Sequence, residues 1–213
     1  MDIMKDIPDK YFELAIVDPP YGIGVNKNGK TLAGNGNFKG GNFKVPAREY
    51  MGGEWDLKTP DKIYFNELFR ISQNQIIWGG NYFIDNLYNT PCFIVWDKDN
   101  GNSYQADCEI AWTSFKTSIR KFNFRWWGLL QEDMKNKQIR IHPTEKPITL
   151  YRWILQKYAK PNDKIIDTHS GSGSLACACH LEKFDFLAIE KDEDYVKSSV
   201  ERLETLRSQG VLF

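Results

Sequence analysis

Residues 164–190 read KIIDTHSGSGSLACACHLEKFDFLAIE, and this stretch decides the fold. Lys164 to Asp167 is an apolar run with the length of a buried strand. Gly173 to Glu182 has the length of a helix, and Phe186 to Glu190 is a second apolar run that ends in an acid. Thr168-His169-Ser170-Gly171-Ser172-Gly173-Ser174 joins the first strand to the helix. Glycines in such a joint let the backbone turn sharply and come close to a ligand. Glu190 follows at about the 20-residue interval at which an acid closing the second strand meets ribose hydroxyls. The unit is a βαβ element of nucleoside-binding form.

Outward from this unit the alternation continues. Strands are expected at Glu13–Asp18, Gln75–Trp78, Cys92–Trp96 and Cys108–Trp112, and Phe122–Trp127 reads as a strand or an aromatic-lined loop. One helix should start with Thr59 as its cap and Pro60 in its first turn, and run to about Ile71 with Ile63, Leu68 and Ile71 toward the core. Two more are expected from Pro147 to about Tyr158 and from Glu193 to about Leu206. Strands alternating with helices predict an α/β, Rossmann-like fold: a mostly parallel sheet of about seven strands with helices on both faces. The 213 residues suit a single domain, 1–213. Residues 22–53, rich in Gly, Asn and Lys, lack apolar periodicity and are too long for a plain connection. They form a functional loop or a disordered one.

Composition narrows the function classes. Hydrophobic residues at 41%, aromatics at 14% and charged residues at 26% suit an ordinary core-forming domain. No run of eighteen apolar residues is present, so no membrane span is expected. The first residues, MDIMKD, lack a signal-peptide pattern, and a cytoplasmic protein is expected. Cys92, Cys108, Cys177 and Cys179 show no CxxC spacing and only three histidines accompany them. Reduced structural cysteines and no metal are the expectation.

Gly171-x-Gly173-x-x-Ala176 formally fits a dinucleotide fingerprint. Asp167 argues against that reading, because a carboxylate before the loop repels a pyrophosphate. It suits the sulfonium and ammonium of S-adenosylmethionine; the plainer alternative is a loop cap. A second motif, Asp18-Pro19-Pro20-Tyr21, follows the first apolar strand. An exocyclic amine has its lone pair delocalised into its ring, so a methylating enzyme must hold it while positive charge grows on nitrogen. Asp18 can accept one amine hydrogen and the Pro19 carbonyl the other. The prolines fix φ and so aim that carbonyl, and Tyr21 offers a ring to an extruded base. The plainer alternative is a proline-stiffened turn, but an acid-or-amide/Ser-Pro-Pro-aromatic match arises by chance in only about one chain per hundred of this size.

DPPY resembles the catalytic motif of the amino-methylating DNA methyltransferases, and DTHSGSGS is similar to their cofactor loop. His142-Pro143-Thr144-Glu145-Lys146-Pro147 resembles the segment preceding that loop. The order, catalytic motif first and cofactor loop last, is similar to the β-type arrangement of the family. The resemblance implies a methyltransferase fold, S-adenosylmethionine as cofactor, DNA as substrate and adenine N6 as target. It implies that Asp18, Pro19, Pro20 and Tyr21 hold the base, and that Asp167, Ser170, Gly171, Gly173 and Glu190 hold the cofactor. Thr144 would assist, with Lys146 reaching the methionine carboxylate. Thr168-His169 departs from the family's usual Pro-Phe. N4-cytosine methylation, methylation of RNA or of a protein amide, and a non-catalytic nucleic-acid-binding protein are the alternatives.

Basic residues cluster in two places. Lys39, Lys44 and Arg48 follow the catalytic motif, and Arg120, Lys121 and Arg125 lie among Phe122, Phe124, Trp126 and Trp127. Both clusters are candidates for nucleic-acid contacts, the second within a small recognition insertion at about 115–140. Ordinary solvated lysines and a core strand with snorkelling cations are the plainer alternatives. A homodimer is compatible with the sequence. No endonuclease motif is present, so a restriction endonuclease partner would be a separate chain.

Overall fold

A computed structural model describes residues 2–24, 35–38, 41–44, 54–100, 106–127 and 130–209. In chain order its elements are α1 (Asp2–Lys5), β1 (Phe12–Val17), β2 (Asn35–Phe38), β3 (Gly41–Lys44), α2 (Lys62–Ile71), β4 (Ser72–Trp78), β5 (Phe93–Asp97), β6 (Cys108–Thr113) and β7 (Arg120–Asn123). They continue with β8 (Trp126–Trp127), β9 (Leu130–Gln131), α3 (Ile148–Tyr158), β10 (Lys164–Asp167), α4 (Ser174–Glu182), β11 (Asp185–Ala188) and α5 (Glu193–Ser208). Seven strands form the main sheet in the order β11-β10-β1-β4-β6-β5-β7. Only β6 runs against the rest. The expected α/β sheet is therefore present. Within the stretch 22–53, β2 and β3 pair as an antiparallel ribbon.

β1 reads FELAIV, an almost unbroken apolar run, because both faces of the sheet are covered. Side chains alternate across the strand. Leu14 and Ile16 join the core under α3 and α4. Ala15 and Val17 join the core under α1 and α2. Helix α2 buries Tyr64, Phe65, Leu68 and Ile71, each worth about 1.5–3 kcal/mol before ordering entropy offsets it.

Two details of α2 differ from expectation. Asp61 caps it, its carboxylate accepting from the Tyr64 amide at 3.0 Å, so Thr59 is not the cap. Ile63 is 61% exposed. Two adjacent aromatic residues, Tyr64 and Phe65, turn their larger surfaces inward, and that leaves Ile63 on the opposite side of the helix. Among the described residues no helix is long and apolar enough to cross a membrane.

The topology creates one crevice. From β1 the chain passes through α2 to β4 on one side. From β10 it passes through α4 to β11 on the other. Crossovers of one hand that step in opposite directions put their helices on opposite faces, as α2 and α4 are. Strand order therefore reverses between β1 and β10, and open α/β sheets bind ligands beyond the carboxyl ends at such a point.

Candidate active site

Asp18 leaves β1 into this crevice. Its Oδ1 accepts the Tyr21 hydroxyl at 2.6 Å and its Oδ2 accepts Lys146 Nζ at 2.5 Å. Each carboxylate oxygen keeps a further lone pair for a substrate donor. The Lys146 side chain is 3% exposed and also pairs with Glu109 at 3.1 Å, and Glu109 pairs with Lys98 at 2.5 Å. Burial works against the Lys146 ammonium, but Asp18 and Glu109 outweigh it and hold its pKa above the ordinary lysine value. Burial likewise opposes the Glu109 charge, yet Lys146 and Lys98 bring its pKa down to about 2. Lys146, expected at a cofactor carboxylate, is thus placed on Asp18 and Glu109.

Tyr21 stacks on Tyr82, with ring centroids 4.9 Å apart and planes 13° from parallel. Tyr82 is 44% exposed and forms the outer member of the pair. Gly79, just past β4, has φ +68°, and a Cβ there would lie 2.2–2.7 Å from the Tyr21 ring. Only glycine lets that ring lie where it does. Asp56 secures the backbone beyond the motif, one carboxylate oxygen accepting the amides of Tyr21 at 2.7 Å and Gly22 at 2.9 Å. Burial, followed by the charge of Asp18, raises the Tyr21 phenol well above its ordinary pKa and keeps it a donor.

Across the crevice, Asp167 ends β10. It is 6% exposed, and its Oδ1 accepts the His169 amide at 3.0 Å. Burial raises its pKa to about 8 against the effect of that amide, with Asp18 and Glu190 adding to the rise. Glu190 Oε2 accepts the Gly171 amide at 2.8 Å, and Oε1 accepts the amides of Lys191 at 2.8 Å and Asp192 at 3.0 Å. It therefore pins the glycine loop and retains one acceptor position, on Oε2. Gly173, at φ +70°, lets the loop press against α5, where an added Cβ would meet Ser199 Cβ at 2.8 Å. Thr168 and His169, the departure from Pro-Phe, close onto α2: the Tyr64 hydroxyl lies 2.7 Å from Thr168 Oγ1, which lies 3.0 Å from His169 Nδ1.

A cavity of about 270 Å³ runs along the crevice. Its walls include Asp18, Pro20, Thr144, Lys146, Ser170, Gly171 and Glu190. Trp55, His142 and Tyr195 form an aromatic side, with neighbouring ring centroids 5.1 and 4.5 Å apart. His142 is neutral, because burial, followed by the charge of Lys146, lowers its pKa to about 4. Four acids (Asp18, Glu145, Glu190, Asp192) face two lysines (Lys146, Lys191) around the cavity. An aromatic wall beside an acidic majority fits a nucleoside that carries positive charge, which is the chemistry of S-adenosylmethionine.

Residues 12–201 match the N6/N4 family model described as DNA methylase. The chain belongs to this DNA methylase family. Among curated relatives of this chain, the type II methyltransferase M.HinfI of Haemophilus influenzae is 24% identical over 250 residues, which cover 96% of this chain and 66% of that protein. The chain thus spans just under two thirds of M.HinfI. The DNA adenine methyltransferase YhdJ of Escherichia coli strain K12 is 22% identical over 238 residues, covering 94% of this chain and 79% of that one. The M1.HpyAVI–SAM complex shares the fold with a TM-score of 0.54 and 20% identity over 95% of each chain. The cytosine-N4-specific PvuII DNA methyltransferase shares it with a TM-score of 0.56 and 12% identity, covering 97% of this chain and 88% of that one.

Seven of the expected catalytic and cofactor residues line the cavity, and four do not. Pro19, Tyr21, Asp167 and Gly173 are not among its walls, although the Tyr21 hydroxyl reaches it through Asp18. The basic residues are dispersed. Lys121 pairs with Asp97 at 2.8 Å, and Arg125 pairs with Asp99. Arg120 opens β7 and so lies at the far edge of the sheet from Asp18. Lys39 and Arg48 lie outside the described residues, as does the side chain of Lys44. Asp56, Gly79, Tyr82 and Glu109 were not anticipated from sequence. Two carried visible signals: Gly79-Gly80 directly after a strand, and Glu109 as an acid inside the apolar run CEIAW.

Proposed function

We propose that this protein transfers a methyl group from S-adenosylmethionine to the N6 amine of adenine in DNA, acting on a base turned out of the helix. One observation carries this reading. Asp18, an acceptor suited to an amine, lines the same cavity as Gly171 and Glu190, which are suited to a nucleoside. The cofactor supplies an electrophilic methyl group when bound. Asp18 accepts one amine hydrogen and the Pro19 carbonyl the other, so two acceptors favour the charge that grows on nitrogen. No strong base is needed, since the proton leaves after the methyl has arrived.

Adenine is favoured by the acid at the first motif position, by resemblance, and by the relative YhdJ being a DNA adenine methyltransferase. N4-cytosine is the second reading, because the family spans N6 and N4 enzymes and the PvuII enzyme has this fold. On this proposal residues 1–213 are one methyltransferase domain of a cytoplasmic protein. The 22–53 and 115–140 segments face DNA, and a restriction endonuclease or second subunit joins as a separate chain. Labelled cofactor incubated with duplex DNA, single-stranded DNA or RNA, followed by hydrolysis and base identification, tests it. N6-methyladenine from DNA is expected. Label confined to cytosine establishes the second reading, and label in RNA or protein alone overturns both.

A further inference from the structure

Methyl transfer puts positive charge on the amine, so the net charge around Asp18 sets how well the site stabilises the transition state. Lys146 complicates that balance. Its buried ammonium lies 2.5 Å from Asp18 Oδ2, and a lone cation there would cancel the carboxylate that the amine needs. Glu109 approaches the same ammonium at 3.1 Å.

We infer that Glu109 is a positioning residue for the transfer: it shares Lys146 with Asp18, so that the ammonium orients the carboxylate without neutralising it. This rests on the methylation reading above. Asp18, Lys146, Glu109 and Lys98 form a chain of alternating charge, closed by Lys98 on Glu109 at 2.5 Å. The chain reaches the site only because β6 is reversed. Glu109 is the second residue of that strand and pairs in register with Trp96, near the carboxyl end of β5. Trp78, at the end of β4, places its ring 5.1 Å from Lys146 Nζ and holds the ammonium from another side. Buried ion pairs contribute little net stability, so a partly buried acid inside an apolar strand is better explained by the site than by the fold.

The charge state follows from the neighbours. Asp18, Glu109 and the Tyr21 hydroxyl touch Lys146, while Asp167 and His142 act on it through space. Tyr151, near Asp18, stays protonated because burial, followed by Asp18, raises its pKa. His142 is neutral, so the anions alone sustain the Lys146 charge. Removing Glu109 deletes one of them and lowers the Lys146 pKa.

The test uses Glu109→Gln and Glu109→Asp in the full chain, with wild-type transfer to DNA as the control. In Glu109→Gln, turnover should fall about 10- to 100-fold, a loss typical of removing a group that orients a reacting one. Cofactor affinity should stay within about twofold, because the carboxylate touches no cofactor-facing group except through Lys146. The basic limb of the rate–pH profile should move to lower pH, and a ¹³Cε titration of lysine-labelled protein should show the Lys146 pKa falling with it. Glu109→Asp should recover part of the rate. In a Lys146→Met background, adding Glu109→Gln should change the rate less than about threefold, since coupled residues are not additive. Wild-type turnover and an unmoved profile in Glu109→Gln would overturn the inference. So would losses that multiply independently in the double variant, or cofactor affinity that collapses along with turnover. A wild type inactive on every DNA base sinks the methylation reading instead, and the lysine titration still tests the charge sharing.

Discussion

Asp18 and Asp167 stand at the carboxyl ends of adjacent strands, one just past β1 and the other closing β10, yet their electrical surroundings are opposite. Asp18 has a phenol and a buried ammonium as partners. Asp167 accepts a single backbone amide, and burial holds its pKa near 8. An acid at a strand end is one local feature. Its role depends on what other elements bring to it. Asp18 is oriented from two sides, by the Tyr21 hydroxyl and the Lys146 ammonium. Asp167 is ionised at a cost that a cationic ligand would lift, and Thr168 and His169 fasten its loop to α2.

The contrast can be broken most severely at Asp18. Asp18→Ala should reduce single-turnover transfer by about a thousandfold or more, the scale of losing a preorganised charge partner, while calorimetric affinity for the cofactor stays near wild type. If transfer survives, Asp18 is not the amine acceptor. Next comes Gly79→Ala. Its Cβ would enter the Tyr21 ring, and misplacing the motif should cost about a hundredfold in rate. A cofactor affinity that fell equally would show that the two sides of the crevice are not separable in this way.

Asp167→Asn sharpens the other side. It should weaken cofactor binding about tenfold, one unit-charge interaction in a screened site. The pH dependence has a definite sign. An unfolded Asp167 ionises near 3.8 and the folded one near 8, so its ionisation costs folded stability progressively between those values. A cationic ligand relieves that cost, so wild-type affinity should tighten from pH 6 to pH 8 and level off above it. The Asn variant should lose this dependence, and a flat wild-type profile would remove the contrast. The smallest effect is expected from Lys121→Ala and Arg125→Ala. Both cations are already paired with Asp97 and Asp99, so duplex affinity should change by less than about threefold, as for exposed pairs of this kind. A large loss in gel-shift titrations would make these two cations the main DNA contacts of the 115–140 segment.

Much of this was legible in the chain. The KIID and FLAIE runs, the glycine loop between them and the acid at 190 all express local periodicity, and DPPY is contiguous. The partners of Lys146 were not legible, because Asp18 lies 128 residues away in sequence and only the sheet order joins them. The cap of α2 was misplaced by two residues because Thr59 and Asp61 both suit that role, and only the Asp61–Tyr64 bond decides between them. Gly79 looked like the end of a strand. Its necessity appears only when the Tyr21 ring is packed against it.

The reversal of β6 has a practical consequence. Because β5 ends and β6 begins at the sheet edge that holds Asp18, Asp97 and Cys108, the anchors of the connection between them, lie at that edge on the β4 side of β1, away from β10 and its glycine loop. That connection is a natural grafting position. On the proposed methylation, exchanging it should alter transfer to DNA more than it alters cofactor affinity.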